Sequence, residues 1–113
     1  MSGITTHVLD IARGRPAAGV PVTLESRSGA GWTLVGRGAT DADGRLCDLA
    51  PSDFVLVEGE YRLTFDAGAY FDAAGTGGFY TEVVVAFVVH DAAAHYHVPL
   101  LLSPYGYTTY RGS

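Results

Sequence analysis

The chain has 113 residues, 48% of them hydrophobic and 17% charged, which is apolar material for one core and too little charge for a disordered segment. Seven basic against twelve acidic residues leave a net charge of −5, which disfavours a basic nucleic-acid face and a polybasic membrane patch. Fifteen glycines and five prolines exceed what long helices tolerate, so the composition points to strands and turns.

Ile4 to Ile11 is a β-branched and apolar stretch, closed by the turn signal Arg13-Gly14-Arg15-Pro16. From Val20 to Glu25, Val22 and Leu24 alternate with Thr23 and Glu25, as in a half-buried strand. Ser28 to Gly31 makes a turn, and Trp32 to Arg37 is a third strand. Asp41-Ala42-Asp43-Gly44 has the residues of a tight turn, and Arg45 and Leu46 open a short strand after it. Glu60 to Phe65 alternates again, and Ala67 to Ala74 is the one short helix, closed by Gly75. Thr81 to Val89 is apolar on both faces. That predicts a core below it and a second cover above, which in so small a chain is another subunit. His95 to Ser103 and Tyr105 to Tyr110 are the last two strands. About eight short strands with regular turn signals predict an all-β antiparallel sandwich. The 113 residues form a single domain, with no repeat or linker.

Cys47 is the only cysteine, so no intrachain disulfide can form. No Cys-centred motif surrounds it, and it reads as buried and inert. The first residues lack the charged and apolar regions of a signal peptide. No apolar run reaches the ~20 residues of a membrane span. The expected location is cytoplasmic.

The titratable side chains are few. His7 shares a strand face with Thr5, Leu9 and Ile11, while His97 shares one with His95, Pro99, Leu101 and Ser103. Val98, Leu100 and Leu102 make the better core stripe, so His97 faces outward in an apolar surround. It is either a general base near neutral pH or a solvated surface imidazole. A nearby arginine would lower its pKa. His7, His95 and His97 together also allow a zinc site, although one His-x-His is a weak signal. Arg45 is either a planar donor for an anionic substrate or an unpartnered surface charge. Ser103 and Ser113 lack the G-x-S-x-G context of a hydrolase nucleophile, and no Gly-rich phosphate loop is present. Strand character persists almost to the last residue. The tail is therefore either a fraying edge strand or a segment whose Arg111, Gly112, Ser113 and carboxylate are built into a site.

The segment His97-Val-Pro-Leu-Leu-Leu-Ser-Pro-Tyr-Gly-Tyr-Thr-Thr-Tyr-Arg-Gly-Ser113 resembles the C-terminal signature of 5-hydroxyisourate hydrolases, the transthyretin-like proteins of purine degradation. Only Thr108 departs, standing where the family has Ser, and it keeps the hydroxyl. His7-Val-Leu-Asp10, the run Arg13 to Leu24, and the turn Asp41-Ala-Asp-Gly-Arg45 extend the resemblance over the whole chain. It implies a transthyretin-type sandwich of two four-stranded sheets with one short helix. It also implies a homotetramer with its sites at the dimer–dimer interface. The implied reaction is cofactor-independent hydrolysis of 5-hydroxyisourate to 2-oxo-4-hydroxy-4-carboxy-5-ureidoimidazoline. Carried over residue by residue, the catalytic set is His7, Arg45, His97 and Ser113. Tyr110, Arg111 and Gly112 join His7 and Arg45 in holding substrate, and no metal is implied. The rival expectation is a transthyretin-type module that binds a small aromatic ligand without turnover. Transthyretin fills the positions of His7, Arg45 and His97 with other residue types and does not end in Tyr-Arg-Gly-Ser.

Overall fold

Period-two alternation bounded by turn residues sets the strands of this chain. The structure, a computed structural model, describes residues 3–113. These form β1 (Ile4–Asp10), β2 (Arg15–Pro16), β3 (Pro21–Ser28), β4 (Gly31–Ala39), β5 (Arg45–Leu46), β6 (Gly59–Phe65), α1 (Ala67–Ala73), β7 (Val83–Val89), β8 (Tyr96–Ser103) and β9 (Gly106–Thr109). One sheet has the order β4-β3-β6-β7 and is antiparallel throughout. The other is built on β1, β8 and β9, with β2 and β5 both laid along the far edge of β1. These two-residue pieces share one edge, β2 against Leu9 and Asp10 and β5 against Thr6 and His7. The sheet is thus four strands wide, and the two-sheet sandwich with one short helix is as expected. Arg15 and Pro16, read from the sequence as turn residues, form β2. The β1–β8 pairing is parallel, the one exception to an antiparallel design.

The core lies between the sheets. Val8, Leu100 and Leu102 from one inner face meet Val22, Leu24, Leu63 and Phe65 from the other, all essentially free of solvent contact. Each such side chain contributes about 1.5–3 kcal/mol of burial. Helix α1 starts because Asp66 accepts a hydrogen bond from the Ala69 amide at 3.0 Å, the role of an N-cap. Its Tyr70 donates its hydroxyl proton to Asp10 Oδ2 at 2.6 Å. Burial, together with this carboxylate partner, pushes the Tyr70 phenol up to about 12. Asp10 Oδ1 also accepts from the Ala12 and Arg13 amides. One buried carboxylate therefore ties the end of β1 to the helix.

One expectation needs correction, and one is left open by the single chain. Cys47 is exposed, because Leu46 is the residue of that short strand that packs on the core and Cys47 lies one place beyond its end. Strand β7 is covered by this chain on one face only. Val83 and Val89 are buried, whereas Val84 and Val88 are 45% and 47% exposed.

Candidate active site

Adjacent strands place directly paired residues on the same face of a sheet. On β1, Ile4 and Val8 enter the core, so Thr5 and His7 stand on the outer face. The register then sets Arg45 of β5 opposite His7, and His97 of β8 opposite Thr5. Three neighbouring strands, each about 4.8 Å from the next, thus carry an Arg, a His and a second His side by side. The outward reading of His97 is correct, with Val98, Leu100 and Leu102 on the core side.

The turn before β5 holds Arg45 in place. Asp41 Oδ1 accepts from the amides of Asp43 and Arg45 at 2.9 and 3.0 Å. Gly44 has φ +76°, and a Cβ there would sit 2.3 Å from the Val8 carbonyl oxygen. Only glycine lets this turn approach β1 so closely. Arg45 is exposed, and its guanidinium has no carboxylate partner among the described residues.

His7 Nε2 lies 2.8 Å from the Asp43 carbonyl oxygen. A carbonyl only accepts, so Nε2 carries the proton and Nδ1 is left to accept in the neutral ring. His97 Nδ1 lies 2.8 Å from Thr5 Oγ1, and that hydroxyl also meets His95 Nε2 at 2.9 Å. The His97 imidazole is held below its usual range, first by burial and then by electrostatic repulsion from the neighbouring His7, His95 and Arg45. Arg45 acts in the expected direction, but burial is the larger cause. Of the three imidazole nitrogens, two meet at the Thr5 hydroxyl and the third, on His7, is turned to the Asp43 carbonyl oxygen. No cluster of three or more metal-ligating groups exists among the described residues.

The tail divides. Gly112 donates its amide proton to the His97 carbonyl at 2.8 Å. A Cβ at 112 would lie 2.7 Å from His97 Cδ2 and 3.2 Å from Pro99 Cγ, so the last residues run directly over the imidazole. Ser113 follows at once and is exposed. Arg111 turns elsewhere, with its guanidinium 4.5 Å from the centre of the Tyr96 ring. With Tyr110 it lines a groove of about 520 Å³ against Val85, Phe87 and Tyr96, beside the free edges of β7 and β9. Within one chain, then, His7, Arg45, His97 and Gly112 come together, and Tyr110 and Arg111 do not join them. Thr5 was missed as a site residue. Alternation from His7 puts it on the right face, but its contact with His97 depends on the parallel register of β1 and β8.

The sequence pattern of the HIUase/Transthyretin family matches residues 4–112. The chain is 49% identical over 117 residues to a 5-hydroxyisourate hydrolase of Caulobacter vibrioides, covering 100% of both chains. Its fold superposes on the 5-hydroxyisourate hydrolase of Klebsiella pneumoniae with a TM-score of 0.82 and 38% identity, covering 97% of this chain and 92% of that one. Sea bream transthyretin, solved in complex with thyroxine, gives a TM-score of 0.89 at 33% identity, covering 98% and 95%.

Proposed function

The chain belongs to the HIUase/Transthyretin family, and from that membership we infer that it is an enzyme hydrolysing 5-hydroxyisourate in urate degradation. The product is 2-oxo-4-hydroxy-4-carboxy-5-ureidoimidazoline. The observation that carries the reading is the meeting of Arg45, His7 and His97 on three adjacent strands, under Gly112 of the tail.

Ring opening by water needs a base for the water, donors for the tetrahedral oxyanion and a proton for the leaving nitrogen. His97 is the base. Its Nδ1 is engaged by Thr5, and its Nε2 makes no hydrogen bond among the described residues. A lowered pKa keeps the ring neutral, and so able to take a proton, at physiological pH. Arg45 supplies a planar cation for the substrate oxygens and the developing charge. His7 binds substrate and presents Nδ1 beside Arg45. Ser113, the residue after the Gly112 that pairs with His97, brings a hydroxyl to this side of the cleft. No activated nucleophile stands in the cluster, so water attacks directly, without a covalent intermediate.

The site lies on an outer sheet face, open to solvent in the single chain. Oxyanion stabilisation gains strength when water is excluded. We therefore propose that the 113-residue domain works as a cytoplasmic homotetramer with its sites at the dimer–dimer interface. The apolar outer face of β7, with Val84 and Val88 exposed, supports association. Tyr110 and Arg111 would complete a site only in such an assembly. The rival role, holding a small aromatic ligand without turnover, rests on the fold alone, and a fold does not carry function.

The test uses the transient ultraviolet absorbance of 5-hydroxyisourate generated by uricase. Purified protein is expected to accelerate its decay well above the spontaneous rate. An unchanged decay rate removes the hydrolase reading and leaves ligand binding.

A further inference from the structure

The hydroxyl of Thr5 sits between two imidazoles, and its single hydrogen restricts both. Thr5 is 4% exposed and so has little access to water. Its Oγ1 is 2.8 Å from His97 Nδ1 and 2.9 Å from His95 Nε2. Between two neutral rings, one hydroxyl donates to one nitrogen and accepts from the other. The two histidines are therefore locked in opposite senses. Either His97 Nδ1 carries the proton and His95 Nε2 accepts, or the reverse holds.

Only one of these arrangements suits a base. If Thr5 donates to His97 Nδ1, the His97 proton sits on Nε2, which then has no lone pair for a water in the cleft. If His97 Nδ1–H donates to Thr5, the Thr5 proton goes to His95 Nε2, and His97 Nε2 is free to accept. His95 is exposed, so water satisfies its other nitrogen in either tautomer and it can adapt. His97 has no such freedom, being half-buried with Gly112 packed on its ring.

We propose that Thr5 and His95 are positioning residues: the Thr5 hydroxyl, accepting from His97 Nδ1 and donating to His95 Nε2, holds His97 in the tautomer whose Nε2 lone pair faces the cleft. The proposal rests on the hydrolase reading with His97 as base. It also sets a pH response. The groups facing His97 are Thr5 and His7 of β1, Arg45 of β5, His95 ahead of β8 and Gly112 of the tail. A protonated His95 has no lone pair for the Thr5 hydrogen, so that hydrogen turns toward His97 and the wrong tautomer gains population.

Three single variants, one double variant and one spectrum test this. Thr5→Val keeps the shape and removes the hydroxyl; it is expected to lower kcat by ~10-fold or more with KM within ~3-fold, since a misoriented base is lost from the transition state and not from binding. Thr5→Ser restores the hydroxyl and is expected to recover to within ~3-fold of the wild type. His95→Leu removes the acceptor and should lower kcat too, while adding it to Thr5→Val should cost nothing further, because His95 acts only through Thr5. Long-range proton–nitrogen NMR of the wild-type protein is expected to show His97 protonated at Nδ1. A proton on Nε2 there would overturn the proposal, and this reading holds even if Thr5→Val fails to fold. Wild-type kcat in Thr5→Val, a Thr5→Ser as impaired as Thr5→Val, or additive losses in the double variant would also overturn it. A wild-type protein that does not hasten 5-hydroxyisourate decay sinks the hydrolase reading itself. An active wild type with an indifferent Thr5→Val sinks only the positioning role.

Discussion

The protonation of His97 links structure to activity at the level of single residues. Burial, and after it repulsion from the neighbouring His7, His95 and Arg45, holds its pKa below the usual 6.5. Activity that needs the neutral ring is therefore fully present above about 6.5 and falls only as pH drops through the lowered value. The kcat/KM profile is expected to have its acid limb below 6.5, and a limb above that value would contradict a buried base. The same shift affects stability. Between 6.5 and the lowered folded value the unfolded chain binds more protons, so stability declines as pH falls through that window. Much of this was legible in the sequence. Alternation in His95-x-His97, opposite the Val98, Leu100 and Leu102 stripe, placed the imidazole on the outer face. The weight of burial in its titration was not legible, because it comes from the tail folding back and from Thr5, one strand away.

Among the elements, the tail beyond β9 is the piece whose role departs furthest from ordinary chain ends. Residues 111–113 add one backbone hydrogen bond, Gly112 to His97, a long 3.5 Å bond from the Arg111 guanidinium to the His95 carbonyl, and the Arg111–Tyr96 contact, together about 1–2 kcal/mol. None belongs to the core. Deleting Arg111 to Ser113 is therefore expected to change the melting temperature little and to lower kcat/KM by ~100-fold, the scale of a lost acid–base contribution. Gly112→Ala should act in the same direction through the 2.7 Å clash with His97 Cδ2. A deletion that unfolds the protein would make the tail structural, and full activity would remove it from the site. Persistence of strand character to Tyr110 made an ordered tail readable in advance. The split between Gly112 over His97 and Arg111 over Tyr96 was not, since both are contacts between the tail and a distant strand that local alternation does not encode.

For the whole molecule, alternation and turn chemistry were enough to recover a two-sheet sandwich with a helix between β6 and β7. They could not reveal that β1 and β8 run parallel, because a period of two is the same in either direction. Yet that pairing brings Thr5 to His97 and sets His7 one step along, and through it three segments distant in sequence become one surface. The central claim is that this surface hydrolyses 5-hydroxyisourate with His97 as base. The most direct measurement follows the decay of freshly generated 5-hydroxyisourate with the wild-type protein and with His97→Asn, both checked for an unchanged fold by circular dichroism. The wild type is expected to accelerate decay, and the variant to lose ~100-fold or more of that acceleration. Acceleration by His97→Asn equal to that of the wild type would contradict the claim.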